Sequence, residues 1–203
     1  TRLVIIDPRK TATTDTADLH LPIRPGTDVL LFNALFSYLA QSEAIDKTFI
    51  EAHTSGLDEA LESAASISFL ELSEATGLAV TDLRSFFQWV EQTEATVTIY
   101  SQGVNQSSAG SDKVNAIINC HLLTGRIGKP GCGPFSITGQ PNAMGGREVG
   151  GLANMLAAHM ALGDPEHTSI VKTFWDAPSV ATKPGLKAVD LFQAVERGEI
   201  KAL

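Results

Sequence analysis

Apolar and polar positions divide the chain into a few short strands among many amphipathic helices. Leu3-Val4-Ile5-Ile6 is a continuous apolar run, β-branched at three positions, the signature of a strand buried on both faces of a parallel sheet. Pro8 of Asp7-Pro8-Arg9-Lys10 stops it, because proline cannot continue a ladder. Residues 11–21 are polar and threonine-rich and read as a loop with little pattern. After Pro25-Gly26-Thr27-Asp28, apolar residues recur at helical spacing (Val29, Phe32, Leu35, Phe36, Leu39), with Thr27 or Asp28 as the cap. Residues 44–94 read as helix after helix. Asp46 precedes Lys47–Thr54, Ser55 precedes Leu57–Ala65, and Ser68 or Glu71 opens a helix ending near Gly77. Thr81 or Asp82 caps the next, which carries Leu83, Phe86, Phe87 and Val90 on one face. This stretch shows no chemistry and reads as a helical insert covering the sheet, with Phe86, Phe87 and Trp89 as packing.

Thr96–Tyr100 is the second predicted strand, followed by a turn at Ser101–Gln106. Ser111 or Asp112 caps a helix with Val114, Ile117, Ile118 and Leu122 inward and Gly125 as its stop. A strand, a turn and a helix in that order form half of a nucleotide-binding unit. Some twenty residues rich in Gly, Pro, Ser, Thr and amides follow, and a helix is predicted to open near Arg147. Its stripe is Val149, Leu152, Ala153, Leu156, Ala157 and Met160, ending at Gly163. Residues 164–187 read as loop. Lys187–Arg197 reads as a helix with Val189, Phe192 and Val195 inward, and Glu199–Leu203 as a strand just starting. The opening at Thr1 and that unfinished strand mark an expected piece of a longer polypeptide. The class is α/β with a mainly parallel sheet.

The candidate chemistry gathers where strands end. Ligands of open α/β sheets bind at the carboxyl edge. Asp7 there can accept from ribose hydroxyls, and Arg9 and Lys10 can meet phosphate; a turn with solvated charges is the competing reading. The helix start at Gly26-Thr27-Asp28 can receive an anion or a polar ring edge, or be a plain cap. Gly103 permits an open backbone or close approach, and Asn105 and Gln106 offer paired donors and acceptors suited to a heterocycle. The long polar stretch 101–151 is therefore expected to face a ligand. Arg147, at a predicted helix start, opposes the helix dipole, which suits either holding an anion or pairing with Glu148 or a neighbouring domain. Gly131-Cys132-Gly133 follows a helix and runs into Pro134, so it is no dinucleotide fingerprint.

Composition narrows the classes. A formal charge of −8 over 203 residues argues against a broad nucleic-acid surface. No apolar run reaches the length of a membrane span, and the start lacks the regions of a signal peptide. Cys120 and Cys132 are too few for a disulfide framework, and both are expected as reduced, packed thiols. The five histidines are scattered without zinc spacing, so no metal ligand set is expected from this chain alone.

Taken in order, Gly103-Val104-Asn105-Gln106, His121-Leu122-Leu123-Thr124-Gly125, Gly128-Lys129-Pro130-Gly131 and Gly139-Gln140-Pro141-Asn142 resemble the molybdopterin oxidoreductases that bind a bis-(molybdopterin guanine dinucleotide) cofactor. Among these, the sequence looks most like the bacterial nitrate reductases of cytoplasmic, assimilatory type. The resemblance implies that residues 1–203 form a central, three-layer α/β domain with helices on both faces of a dinucleotide-binding-like sheet, holding one guanine dinucleotide arm. It implies cofactor contacts by Asp7, Arg9 and Lys10, by Gly26, Thr27 and Asp28, and by Gln102, Gly103 and Gln106, with Met144 and Arg147 toward the substrate funnel. Formate dehydrogenases of the family carry Arg before the Gly-Gln of the loop. Thr138 stands there instead, as in nitrate reductases, which puts formate second. The family's iron–sulfur cysteine motif and the usual Cys ligand to molybdenum are absent from these residues. The resemblance thus implies a [4Fe-4S] cluster only in the full-length protein, an electron donor, nitrate as substrate, the remaining domains of the same chain as partners, and no activity of this piece by itself. A stand-alone nucleotide-binding module without catalysis is the alternative from another class.

Overall fold

The computed structural model describes residues 1–64 and 66–203 and divides into two compact units, Thr1–Ile137 and Thr138–Leu203. The chain is α/β, and both strand pairings among the described residues are parallel.

In the first unit, β1 (Val4–Ile6) pairs with β2 (Leu19–Leu21), Val4 opposite Leu19 and Ile6 opposite Leu21. The expectation of a patternless loop over 11–21 is therefore corrected. That stretch holds a 3-10 turn, Ala12–Thr16, and then β2. Three residues with one fully buried side chain, Leu21, are too few to display alternation. α1 (Asp28–Ala40) buries Leu31, Phe32, Leu35, Phe36 and Leu39 and packs against α3, α4, α5 and α7, whose bounds follow. The expected cap is corrected: neither Thr27 nor Asp28 caps α1 through its side chain.

The helical run is α2 (Lys47–His53), α3 (Leu57–Ala64), α4 (Phe69–Thr76) and α5 (Val80–Gln92). Ala65, expected to end α3, lies outside the described residues. The Asp46 carboxylate accepts from the Phe49 amide at 2.9 Å. Ser68 and Glu71 form a reciprocal capping box, and Gly77 closes α4 at φ +76°. α5 starts after Ala79 with no side-chain cap, so Thr81 and Asp82 lie inside its first turn instead of capping it. Phe86 and Phe87 are core, in ring contact with each other, and Phe87 also with Tyr38 and Phe69. Trp89 lies under the Arg2 guanidinium, 4.6 Å away.

β3 (Val97–Tyr100) leads into α6 (Gln102–Asn105), then α7 (Gly110–Leu123) and β4 (Gly133–Ser136). The expected open turn at 101–106 thus contains a helical turn. β3 and β4 pair in parallel, Val97 opposite Gly133 and Ile99 opposite Phe135. β4 was hidden by its Gly-Pro start, since both residues are poor strand formers. The strands pair two and two, β1 with β2 and β3 with β4, rather than in one continuous ladder. Thr98 faces α7, whereas Val97, Ile99 and Phe135 on the other side are exposed. α7 buries Lys113, Ala116, Ile117, Cys120, His121 and Leu123. The predicted inward residues Val114, Ile118 and Leu122 are only half-buried, and Ser111 and Asp112 follow the Ala109 cap position without capping.

The second unit holds α8 (Ala143–Glu148), a 3-10 turn (Ala157–His159), α9 (Pro165–Phe174) and α10 (Ala188–Glu196). The long amphipathic helix expected from Arg147 to Gly163 does not form. α8 ends at Val149, and Gly150 takes φ +76° with Gly151 beside it. Paired glycines raise the entropy cost of a helix. Leu156, Leu162 and Val171 make a small core with Met160 and Val180. α9 replaces part of the expected 164–187 loop: Asp164 accepts from the Glu166 and His167 amides, with Pro165 in the first turn. On α10 the predicted inward residues Val189 and Phe192 are 70% and 65% exposed, and Ala194 is the buried one. Residues 199–203 are not a strand, because this unit offers no ladder to join among its described residues.

Candidate functional site

The binding candidates of the first unit each follow the carboxyl end of a parallel strand. Asp7, Arg9 and Lys10 follow β1; Gly26, Thr27 and Asp28 lie between β2 and α1; Gln102, Gly103 and Gln106 follow β3. The Asp7 amide donates to the Leu21 carbonyl at 3.2 Å, extending the ladder, and His20 Nε2 lies 2.9 Å from the Asp7 carbonyl oxygen. The Asp7 carboxylate accepts from the Arg9 amide at 2.7 Å, with Arg9 Nε 3.9 Å away. Lys10 Nζ stands 3.7 Å from Asp15. Both cations are exposed, so these pairs are weak and leave the charges free to meet an anion.

The second turn is firmly held. Gly26 adopts φ +89°, which only glycine takes without strain. The Thr27 hydroxyl donates to the Arg24 carbonyl at 2.7 Å, and Arg24 is tied to the end of α4 through the Thr76 and Ala75 carbonyls. Asp28 then reaches sideways to α7: its Oδ2 lies 2.8 Å from Lys113 Nζ. Lys113 Nζ also donates to the Gly103 carbonyl at 3.4 Å, so one ammonium joins the turn after β2 to the turn after β3. Gly110 lets α6 and α7 fold tightly enough for this; a Cβ there would meet the Asn105 carbonyl oxygen at 2.7 Å. Asn105 Nδ2 donates to Ser136 Oγ at 3.1 Å, adding the end of β4. Gln106 is exposed beside this cluster. Lys113 was missed in the sequence although it shares the helical period of Ala116, Ile117 and Cys120, the one signal that could have found it.

Behind the turns lie three buried titratable side chains on or beside α7: His121, Arg126 and Cys120. His121 is buried, with Nε2 2.8 Å from Thr98 Oγ1 and Nδ1 without a partner. Burial, with the Arg126 charge adding to it and the nearby Arg126 backbone opposing it in part, lowers its pKa to about 4, so the ring is neutral. The buried Arg126 guanidinium donates to the Val90 and Glu91 carbonyls at the end of α5. Burial pushes the Cys120 thiol up, and its Sγ lies 3.4 Å from the Phe32 and Ala116 carbonyl oxygens, so it is an inert packing thiol. Among the described residues no group of three or more His, Cys, Asp or Glu is placed to hold a metal.

In the second unit, the Thr138 hydroxyl donates to the Gln140 side-chain carbonyl. Met144 is exposed. Arg147 lies in the last turn of α8, not at a helix start, so the dipole favours its charge there and the expected opposition to the dipole is corrected. It is exposed and makes no ion pair with Glu148 among the described residues.

Parallel strand pairs with helices between them make this an α/β protein, a class whose ligands bind at the carboxyl ends of the strands. The family model for molybdopterin oxidoreductase matches residues 1–203, and the chain belongs to that family. It is 49% identical over 204 residues to a nitrate reductase of Shewanella frigidimarina, covering 100% of this chain and 22% of that protein. It is 32% identical over 201 residues to the assimilatory nitrate reductase catalytic subunit of Bacillus subtilis, covering 98% of this chain and 28% of that one. The chain thus spans about a quarter of the length of these relatives. Among solved structures, acetylene hydratase from Pelobacter acetylenicus superposes with a TM-score of 0.57 at 22% identity, over 64% of this chain and 18% of its own, a likeness of fold. No helix among the described residues is long and apolar enough to cross a membrane.

Proposed function

We propose that this chain is the cofactor-holding part of a molybdenum nitrate reductase acting at a bis-(molybdopterin guanine dinucleotide) centre. The observation that carries the reading is the joining of two strand-end turns, after β2 and after β3, on one buried ammonium. The substrate comes from the relatives named nitrate reductase, one of them assimilatory. The residues fit the group chemically. A guanine dinucleotide offers ribose hydroxyls and ring N–H donors to Asp7 and Asp28, phosphates to Arg9 and Lys10, and a heterocycle edge to Gln102 and Gln106, with Gly26, Thr27 and Gly103 supplying backbone. When bound, the group supplies the two-electron chemistry that takes nitrate and two protons to nitrite and water. The chain orients it, and Thr138, Met144 and Arg147 line the anion's approach, Arg147 as the attracting cation.

In this reading a [4Fe-4S] cluster and the metal's protein ligand lie in other parts of the full-length protein, an electron donor feeds the cluster, and the protein is cytoplasmic. Residues 1–203 alone turn nothing over. The test uses the full-length protein. Molybdenum and GMP are counted per polypeptide, and nitrite is measured from nitrate with a reduced viologen dye, with formate oxidation run alongside. Nitrate reduction without formate oxidation is expected; the reverse would overturn the reading. Arg147→Ala is expected to lower kcat/KM for nitrate about tenfold, the loss of one charge-assisted hydrogen bond, with cofactor content unchanged.

A further inference from the structure

Lys113 stands where a lysine is costly. It occupies the first turn of α7, where a cation opposes the helix dipole. Its side chain is 8% exposed and that of its partner Asp28 is 21% exposed. Buried ion pairs of this kind are often matched or bettered in stability by apolar residues of similar volume. Cohesion of the fold is therefore a poor reason for the pair. Its geometry supplies another. Nζ spans from Asp28 Oδ2 at 2.8 Å to the Gly103 carbonyl at 3.4 Å, and these two atoms belong to turns that follow strands of different ladders, β2 and β3. With Oδ2 taken by Lys113, Asp28 presents its other oxygen in a set direction.

We infer that Lys113 is a positioning residue for the dinucleotide: it fixes the distance between the Gly26–Asp28 turn and the Gln102–Gln106 turn and aims the free oxygen of Asp28. The inference rests on the cofactor reading above. A dinucleotide contacting both turns meets them at a preset spacing, and without the bridge the binding energy must also order them.

The experiment uses the full-length protein, wild type and Lys113→Met, with Lys113→Gln as a neutral side chain one atom shorter that keeps a donor for Asp28. Released pterin and GMP are counted per polypeptide, and hydrogen exchange is followed at 26–30, 101–106 and 116–121. Lys113→Met is expected to retain about tenfold less cofactor, the scale of losing a partner that orients a ligand-bearing side chain. Exchange should rise at 26–30 and 101–106 and stay unchanged at 116–121. Lys113→Gln is expected to fall between and serves alone if the methionine variant does not fold. Full cofactor in both variants overturns the inference while leaving the reading of the site intact. A uniform rise in exchange that includes 116–121 overturns it as well, since that is the mark of a merely structural pair. Absence of GMP from the wild-type protein overturns the cofactor reading and this inference with it.

Discussion

The buried imidazole of His121 ties the stability of the first unit to pH. The residue is 4% exposed, its ring bonded to Thr98 through Nε2 and with no hydrogen bond at Nδ1. Burial lowers its pKa from 6.5 to about 4. Between those values the unfolded chain binds the proton and the folded one does not, so stability falls as pH drops through that window and is full above 6.5. At about 1.4 kcal/mol per pH unit, the interval from 6.5 to about 4 is worth roughly 3 kcal/mol. Other groups add their own pH dependence, and His121→Gln isolates this one, since glutamine keeps a partner for Thr98 but does not titrate. Urea unfolding is read from Trp89, in a Trp175→Phe background so that the signal reports the first unit. The wild type is expected to lose roughly 3 kcal/mol more than His121→Gln between pH 7 and pH 4. Equal losses, or a His121 resonance titrating near 6.5, would refute the reasoning.

Two further outcomes follow from close packing and capping. Gly110→Ala sets a methyl 2.7 Å from the Asn105 carbonyl oxygen and 3.2 Å from that of Val104, both backbone atoms that cannot swing aside. It is expected to cost about 1–3 kcal/mol in urea unfolding and to weaken the Lys113 bridge, seen as faster exchange at 101–106. Ser68→Ala removes half of the capping box on α4 and is expected to cost about 1 kcal/mol, read as a lower Tm with cofactor content unchanged.

Elements with strong local chemistry were readable from the chain. Asp46, Ser68 and Gly77 mark helix ends where the structure has them, and the predicted runs around 4–6 and 97–100 are strands. β2 and β4 were not readable, because three residues and a Gly-Pro start carry no period; their pairing comes from tertiary contact. α9 has a signal in Asp164-Pro165-Glu166, which Pro165, Pro178 and Pro184 together disguise as loop. The stripe from Val149 to Met160 misled, since spacing alone does not weigh the entropy of Gly150-Gly151. The turns at strand ends were legible by position. The residue that joins two of them was not, because lysine is expected at the surface and only the fold places Asp28 opposite position 113.

The uncovered side of the β3–β4 ladder bears on how the protein can be handled. Val97 and the register partners Ile99 and Phe135 share one face of it, 46%, 61% and 56% exposed, while parallel ladders are ordinarily shielded front and back. Taken by itself, the chain offers other copies a water-averse strip to stack on. Threonine at 99 and 135, β-branched and thus at home in a strand, would wet that strip and leave the turns at the strands' carboxyl ends untouched.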